Sequence, residues 1–143
     1  MTTTTPLEVD IPACSLVVPV YGNEDTIADL LDAIEGIAAD APGGLEAIFV
    51  VDGSPDDSEA VLRKLLPDHS YPAVLLTHSR NFGSFPAIRT GLGNARGRHL
   101  AVMAADLQEP PELISTFFHR LAESDANIVV GVRTGRADPG ASK

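Results

Sequence analysis

Positive charge is scarce in this chain, and what there is lies late in the sequence. No lysine or arginine occurs before Arg63, and the formal net charge of the whole chain is −10. A chain this acidic is a poor partner for nucleic acid or an anionic lipid surface, so no nucleic-acid partner is predicted. From His78 onward the cations slightly outnumber the acids, which leaves the second half able to meet an anionic ligand.

Cysteine and long apolar runs are also nearly absent. The single cysteine, Cys14, excludes a disulfide within the chain, and its apolar surroundings are typical of a buried thiol. The longest apolar runs are far shorter than the roughly 20 residues that span a bilayer, and the first residues lack a secretory signal. The sequence predicts a cytoplasmic location, or one at the cytoplasmic face of a membrane if missing C-terminal segments supply an anchor.

Apolar runs alternate with amphipathic segments along the 143 residues, which suffice for one domain. The runs predict strands over residues 14–20, 45–51, 73–77, 100–103 and 126–132. Helices are predicted to begin at Asn23 or Glu24, at Ser54-Pro55, at Ser84 and at Pro110-Pro111. Their expected inward residues are Ile27, Leu30, Leu31, Ile34 and Ile37, then Phe85, Ile88 and Leu92, then Leu113, Ile114, Phe117, Phe118 and Leu121. The order predicts an α/β fold, a mostly parallel sheet with helices on both faces.

Ligand-type side chains follow three of these predicted strands. Tyr21 offers an aromatic face for a base, Asp52 can accept from a ring N–H or a ribose hydroxyl, and Asp106 with Gln108 can engage a metal and phosphates. The carboxyl ends of parallel strands line one crevice, so together these residues indicate a nucleotide-diphosphate site. Taken singly, each is explained equally well as a turn, cap or packing residue.

Other nucleotide and signalling folds fit less well. The chain has no internal repeat and no Gly-rich dinucleotide fingerprint, which disfavours a nicotinamide dehydrogenase. A receiver-like signalling domain would need an acidic pair after the first strand, where this sequence has Val18-Pro19-Val20-Tyr21.

The first two of these segments resemble motifs of the family 2 glycosyltransferases of the GT-A fold. Residues 18–24, Val-Pro-Val-Tyr-Gly-Asn-Glu, are similar to Pro-Val-Tyr-Asn-x-Glu after an apolar strand, with Gly22 where Asn is usual. Residues 49–56 resemble Val-Asp-Asp-Gly-Ser-x-Asp, with Val51 in place of the first aspartate and Asp52 matching the acid that contacts the base.

The later segments are similar to the polyprenyl-phosphate glycosyltransferases related to dolichol-phosphate mannosyltransferase. Residues 80–97 resemble the pattern Arg-Asn-x-Gly…Ala…Gly…Ala-x-Gly. Residues 106–112 resemble Asp-x-Asp-Leu-Gln-Asp-Pro-Pro-Glu, with Ala104 where the first Asp would stand. Gly131-Val132-Arg133 resembles the Gly-x-Arg segment that approaches the phosphates.

The resemblance implies a GT-A, Rossmann-like fold that is C-terminally truncated. It implies a flexible leader over 1–13, a nucleotide-sugar-binding domain over 14–132 and the start of an acceptor-side loop over 133–143. The implied nucleotide-binding residues are Pro19, Val20, Tyr21, Glu24, Asp52, Ser54, Asn81, Gly83 and Asp106. Arg133 and Arg136 would bind phosphates, and Asp106 and Gln108 would hold Mg²⁺ or Mn²⁺.

The implied reaction is the inverting, metal-dependent transfer of a sugar from a nucleotide-diphospho-sugar donor to a lipid-phosphate acceptor. No residue is assigned as a catalytic base, because a phosphate nucleophile is already anionic. An unfinished sheet edge could recruit a second copy, which makes a homo-oligomer a further prediction.

Two other functions stay open. Val51, Ala104 and the early end of the chain favour a catalytically incompetent fragment that binds a nucleotide sugar or a partner. A soluble family 2 enzyme acting on a sugar hydroxyl would require a carboxylate base from sequence outside this chain. The run Leu-Gln-Glu-Pro-Pro at residues 107–111 is the reason for preferring the lipid-phosphate acceptor.

Overall fold

A computed structural model of the chain describes residues 10–135. Four parallel strands form one sheet in the order β3-β2-β1-β4, with β1 at Cys14–Val20, β2 at Leu45–Val51, β3 at Ala73–Thr77 and β4 at His99–Val102. The helices are α1 at Ile27–Asp40, α2 at Ser58–Leu65, α3 at Ser84–Gly93 and α4 at Pro111–Glu123, and a 3₁₀ turn covers Leu66–Asp68. The predicted parallel α/β fold is confirmed.

The sheet is covered on both faces, as predicted. Helices α1, α2 and α4 pack on one face, where the apolar core contains all five predicted inward residues of α1. Helix α3 covers the other face, where Val17, Ile48 and Val50 pack against Ala87. Strands β1 and β2 are therefore buried on both sides, which explains why their sequences are apolar apart from Ser15 and Glu46.

The predicted inward face of α3 is wrong. Phe85 is 83% exposed and Leu92 is 36% exposed, whereas Ala87 and Gly91 are buried against the sheet. A Cβ at Gly91 would lie 2.3 Å from Cγ1 of Val17, so the helix can approach this closely only because its contact residues are small. Close backbone approach thus outweighed burial of the larger apolar side chains.

The predicted fifth strand is also wrong, since residues 126–132 form no strand. Ile128, Val130 and Val132 are between 73% and 82% exposed. A Cβ at Gly131 would lie 3.1 Å from Cζ of Phe117, so the segment runs against α4 and does not pair with β4. Apolar alternation predicts a strand only where a partner strand supplies the ladder hydrogen bonds.

A buried carboxylate joins β1 and β2 to the α3–β4 connection at the amino ends of the strands. Glu46 on β2 is 1% exposed and accepts hydrogen bonds from Oγ of Ser15 at 2.8 Å and from the main-chain N of Arg96 at 2.7 Å. Burial raises the pKa of Glu46, but these bonds and the Arg96 guanidinium outweigh it and hold the pKa below its usual value. This network fixes the α3–β4 connection beside β1.

Among residues 10–135, no helix is long and apolar enough to cross a bilayer.

Candidate functional site

A pocket of about 290 Å³ opens at the carboxyl ends of β1, β2 and β4, where the sheet order places three connecting loops side by side. Its size is close to the lower end of the range typical of small-molecule sites, roughly 300 Å³. The residues that line it are Pro19, Val20, Tyr21, Asn23, Asp52, Asn81, Gly83, Ser84, Ala87, Ala104, Ala105 and Asp106. Seven of the nine sequence-predicted nucleotide-binding residues therefore share one pocket; Glu24 and Ser54 do not line it.

Glu24 and Ser54 instead link the β1–α1 loop to the β2–α2 loop. Ser54 Oγ accepts from the main-chain N of Gly22 at 2.8 Å, and Glu24 Oε2 accepts from the main-chain N of Asp57 at 3.0 Å. In return, Asp56 Oδ2 accepts from the main-chain N of Glu24 at 3.1 Å. Glu24 and Ser54 therefore stabilise two loops that form the pocket, although their own side chains do not line it.

The same network explains why α2 begins at Ser58 and not at Ser54-Pro55 as predicted. Asp56 accepts hydrogen bonds from the hydroxyls of Ser54 and Ser58 and from the main-chain N of Ser58. Burial raises the pKa of Asp56, but these hydrogen bonds outweigh it and bring the pKa to about 2. Residues 54–57 are therefore a hydrogen-bonded loop that precedes the helix.

Asp52 is the most completely bonded side chain of the pocket. Its Oδ1 accepts from Nδ1 of His78 and from the main-chain N of Phe82, and its Oδ2 accepts from the main-chain N of Gly83, all at 2.9 Å. Burial raises its pKa, yet these three donors prevail and hold the pKa below its ordinary value. Asp52 is thus an anion at neutral pH, with one edge turned to the pocket.

The loop that carries Asn81 and Gly83 lies directly on Gly53. A Cβ at Gly53 would lie 2.3 Å from the carbonyl carbon of Arg80 and 2.3 Å from the main-chain N of Asn81. Gly53 also has a φ of +62°, a conformation that only glycine adopts readily. The glycine after Asp52 therefore lets this loop close over the end of β2.

Asp106 lies in a tight turn after β4. Its Oδ1 accepts from the main-chain N of Gln108 at 3.2 Å, and Leu107 between them has a φ of 57°. A left-handed conformation costs a leucine about 1–2 kcal/mol, which is offset by the packing of its side chain against the core. The turn exposes Asp106 and Gln108 side by side.

Thr26 fixes this turn to the start of α1. Its Oγ1 donates to the main-chain O of Ala105 at 3.0 Å. This bond joins the β1–α1 loop to the β4–α4 loop across the pocket. Ala104 is exposed and lines the pocket at the position of the missing carboxylate.

The donor set at this turn fits a hard divalent cation that a substrate also binds. Asp106 and Gln108 offer one carboxylate and one amide oxygen, and Mg²⁺ or Mn²⁺ commonly completes its shell with substrate phosphates and water. Within residues 10–135 no cluster of three or more His, Cys, Asp and Glu side chains is arranged to bind a metal. Any cation here would therefore depend on the diphosphate for its retention.

Of the two arginines predicted to bind phosphate, Arg133 lies near the end of the described residues. Nη2 of Arg133 is 3.9 Å from Oε1 of Glu109, which brings Arg133 beside the loop that carries Asp106. Arg133 is outside the pocket lining, and this exposed ion pair contributes little to stability. Arg136 is outside the described residues.

A larger groove of about 770 Å³ lies between α1 and α4, away from the strand ends. Its acidic residues include Asp32, Asp40, Glu112 and Glu123, and His119 Nε2 is 3.0 Å from Oδ2 of Asp40. Such a groove repels an anionic diphosphate. Size alone would select this groove, but charge and position at the strand ends favour the smaller pocket.

Sequence reasoning missed His78, Asn23 and Ser84. His78 directly follows β3, in the same loop as the predicted residues Asn81 and Gly83, but it precedes the motif that begins at Arg80. Asn23 stands within the first motif, and Ser84 follows Gly83 at the start of α3. The rule that the loops at strand ends line one crevice could have found Asn23 and Ser84, whereas only the three-dimensional structure relates His78 to Asp52.

A crevice at the carboxyl ends of a parallel sheet is the usual place for the ligand of an α/β domain, and here Asp52 and Asp106 line it. Residues 15–142 match the family described as Glycosyl transferase family 2, so the chain belongs to that family, as the motifs predicted.

Two curated proteins similar to this chain are named as polyprenyl-phosphate sugar transferases. The chain is 32% identical to a dodecaprenyl-phosphate galacturonate synthase of Rhizobium johnstonii, over 87% of this chain and 37% of that protein. It is 35% identical to an undecaprenyl-phosphate 4-deoxy-4-formamido-L-arabinose transferase of Sodalis glossinidius, over 94% of this chain and 40% of that protein. The chain thus spans about two fifths of the length of these curated relatives.

The GT-A fold is confirmed by a solved structure. A mannosyltransferase of Pyrobaculum calidifontis, in complex with GDP-Man and Mn²⁺, superposes with a TM-score of 0.66 at 23% identity. The match covers 78% of this chain and 33% of that one.

Proposed function

We propose that this chain is the donor-binding part of a glycosyltransferase that moves a sugar from a nucleotide-diphospho-sugar to a polyprenyl phosphate, with inversion and with a divalent cation. The observation that carries the proposal is the meeting of Tyr21, Asp52 and Asp106 in one pocket at the strand ends. The named relatives, whose acceptors are polyprenyl phosphates, support the choice of acceptor.

The pocket suits the nucleoside half of the donor. The ring of Tyr21 is 52% exposed and offers a face for a base, while Asp52 offers an anionic acceptor for a ring N–H. Asn81 and Gly83 line the same pocket from the loop above Gly53. The base would therefore lie between the β1–α1 loop, which carries Tyr21, and the β3–α3 loop, which carries Asn81. The diphosphate would be directed towards Asp106.

Asp106 and Gln108 would hold the divalent cation, and Arg133 lies close enough to their loop to meet a phosphate. When bound, the cation would neutralise the diphosphate and stabilise it as a leaving group, consistent with the Mn²⁺ in the mannosyltransferase structure. This chain's own part is to orient the donor and to supply positive charge from Arg133 where charge develops.

The proposed reaction needs no protein base. An oxygen of the lipid phosphate forms a bond to the anomeric carbon as the bond from that carbon to the diphosphate breaks. The electron pair leaves with the nucleoside diphosphate, and attack from the opposite side inverts the anomeric centre. An anionic phosphate has no proton to lose at neutral pH.

Donor binding without transfer is the second candidate, and Ala104 favours it. The residue lines the pocket where the family pattern has a carboxylate, so the cation would have one anionic protein ligand fewer. Release of nucleoside diphosphate that depends on added polyprenyl phosphate would identify a transferase, and donor binding without such release would identify a binding domain.

Calorimetric titration of UDP, GDP and dTDP, each with Mn²⁺ and with chelator, tests the donor site. We expect one nucleotide to bind in a metal-dependent manner, and Asp52→Ala and Asp106→Ala each to weaken it by tenfold or more, about 1.4 kcal/mol. Asp106→Ala should abolish the effect of Mn²⁺. The control is Asp125→Ala, which removes an exposed loop aspartate far from the pocket lining. Unchanged affinity in both pocket variants would contradict the site.

A further inference from the structure

Asp52 has most of its acceptor capacity committed within the protein. A carboxylate offers about four lone-pair positions, and three of them are taken by the donors from His78, Phe82 and Gly83 within residues 10–135. Two of these bonds are on Oδ1 and one is on Oδ2. The remaining position belongs to Oδ2, on a side chain that lines the pocket.

His78 is fixed at both ring nitrogens. Nδ1 is 2.9 Å from Oδ1 of Asp52, and Nε2 is 2.9 Å from Oγ1 of Thr90 on α3. Because a carboxylate only accepts, Nδ1 must carry the proton that it donates to Asp52, while Nε2 forms a hydrogen bond with the Thr90 hydroxyl.

The imidazole is also held by packing and by its own main chain. The ring meets the ring of Phe82 edge-on, with centroids 5.4 Å apart and an interplanar angle of 86°. The main-chain N of His78 donates to the main-chain O of Val51 at 2.8 Å, and the His78 side chain is 15% exposed. The imidazole is therefore held in one position by contacts with the sheet, with α3 and with the loop over the pocket.

We propose that His78 is a positioning residue for base recognition: it fixes the Asp52 carboxylate so that Oδ2 presents one lone pair to the ring N–H of a nucleobase. Without this donor, Asp52 could rotate about χ2 and lose its bonds to the main-chain N atoms of Phe82 and Gly83. The loop that brings Asn81 to the pocket would then loosen. The inference rests on the proposed function, and it adds a residue that never touches the ligand.

The favoured ligands are nucleotides whose base carries a ring N–H that points away from the sugar, as uracil, thymine and guanine do. Cytosine lacks a proton at the equivalent ring nitrogen, so its N3 would face the Asp52 carboxylate lone pair to lone pair. UDP and CDP are therefore a matched pair of ligands, which differ at N3, the ring nitrogen that Asp52 would contact.

The test uses two substitutions at one position and a matched histidine elsewhere. His78→Leu removes both ring contacts, whereas His78→Asn keeps an N–H donor near the place of Nδ1. The control is His69→Leu: His69 is 13% exposed and its Nδ1 is 3.3 Å from Oε2 of Glu35, outside the pocket. Urea unfolding of each variant separates loss of fold from loss of binding.

We expect His78→Leu to weaken the nucleotide that wild type binds by about tenfold, the effect of one charge-assisted hydrogen bond, and to reduce discrimination against CDP. His78→Asn should recover most of both, and His69→Leu should leave both within about twofold. Amide exchange at Phe82 and Gly83 should quicken in His78→Leu and not in His78→Asn, with no ligand present.

Equal effects of His78→Leu and His69→Leu on affinity, or an Asn variant no better than Leu, would overturn the inference while the donor site stands. Wild-type protein that binds none of UDP, GDP and dTDP would refute the proposed function, and the inference would fall with it.

Discussion

Gly53 and Gly22 occupy similar positions after neighbouring strands, and replacing each by alanine isolates the contact that builds the pocket. Both have a positive φ, +62° and +68° respectively, so alanine costs about 1–2 kcal/mol at either place. Nothing lies within 4 Å of a Cβ at Gly22, whereas a Cβ at Gly53 would lie 2.3 Å from two main-chain atoms of the overlying loop.

The loop over Gly53 has to move if that position gains a Cβ. Carbon atoms in contact are roughly 3.5–4.0 Å apart, so the loop must retreat by about 1 Å. That shift lengthens the bonds from Phe82 and Gly83 to Asp52, which are 2.9 Å long. Overpacking costs about 1–3 kcal/mol in addition to the cost of the positive φ, so we expect Gly53→Ala to lower the free energy of unfolding by about 2–5 kcal/mol.

Urea unfolding followed by far-UV circular dichroism measures both variants by linear extrapolation. We expect Gly53→Ala to lose about 1–3 kcal/mol more than Gly22→Ala, and to lose nucleotide affinity in the calorimeter where Gly22→Ala keeps it. Equal losses of stability in the two variants would refute the close approach of the loop to Gly53.

Three further predictions follow from single positions. Gly91→Ala should lower the unfolding free energy by about 1–3 kcal/mol, because its Cβ would lie 2.3 Å from Cγ1 of Val17, whereas Gly93→Ala, with open space, should raise it by about 0.5–1 kcal/mol. The folded-state pKa of Asp56, about 2, lies below the unfolded value, so its contribution to stability is complete above about pH 4 and is lost as pH falls towards 2. Asp56→Asn should flatten that part of the pH profile. Ala104→Asp should tighten Mn²⁺-dependent nucleotide binding by about tenfold, because it adds an anionic ligand at the pocket wall.

Each of these has a clear contrary result. Equal stability changes in the two α3 variants would mean that the helix does not sit closely on β1. If the stability of Asp56→Asn changed between pH 4 and 2 as much as that of wild type, the hydrogen bonds of Asp56 would not be the cause of that pH dependence. Unchanged metal dependence in Ala104→Asp would place the cation elsewhere.

The strands of the central sheet could be predicted closely from the sequence. β1, β2 and β3 have the predicted bounds, because each is a mainly apolar run with proline, glycine or polar residues close to both ends. The inward face of α1 was also predicted, since its apolar residues recur at helical spacing beneath a sheet that buries them all.

Features that depend on tertiary contacts could not be read in this way. The burial of α3 is decided by Ala87 and Gly91, whose importance lies in the distance they allow and not in their hydrophobicity. Residues 126–132 have a strand pattern, but the position of α4 decides whether they have a partner. Periodicity describes a segment, and these outcomes belong to pairs of segments.

The sequence could predict which loops meet at the candidate site, but only some of the contacts that its residues make. Motif positions located Tyr21, Asp52 and Asp106 at the pocket, because the parallel topology brings strand ends together. Glu24 and Ser54 belong to the same loops but bond to the neighbouring loop, which no pattern in one segment reveals. His78 acts across two strands, so only the three-dimensional structure relates it to Asp52.

The measurement that tests the donor site most directly is the mapping of amide chemical shifts in the ¹⁵N-labelled chain. The tightest-binding nucleoside diphosphate is added together with Mg²⁺, which takes the place of Mn²⁺ at the same concentration. The account predicts that the largest shifts fall on Tyr21, Asn81, Gly83 and Asp106 at the strand ends. Shifts confined to the α1–α4 groove, around Gly36 and Thr116, would contradict it.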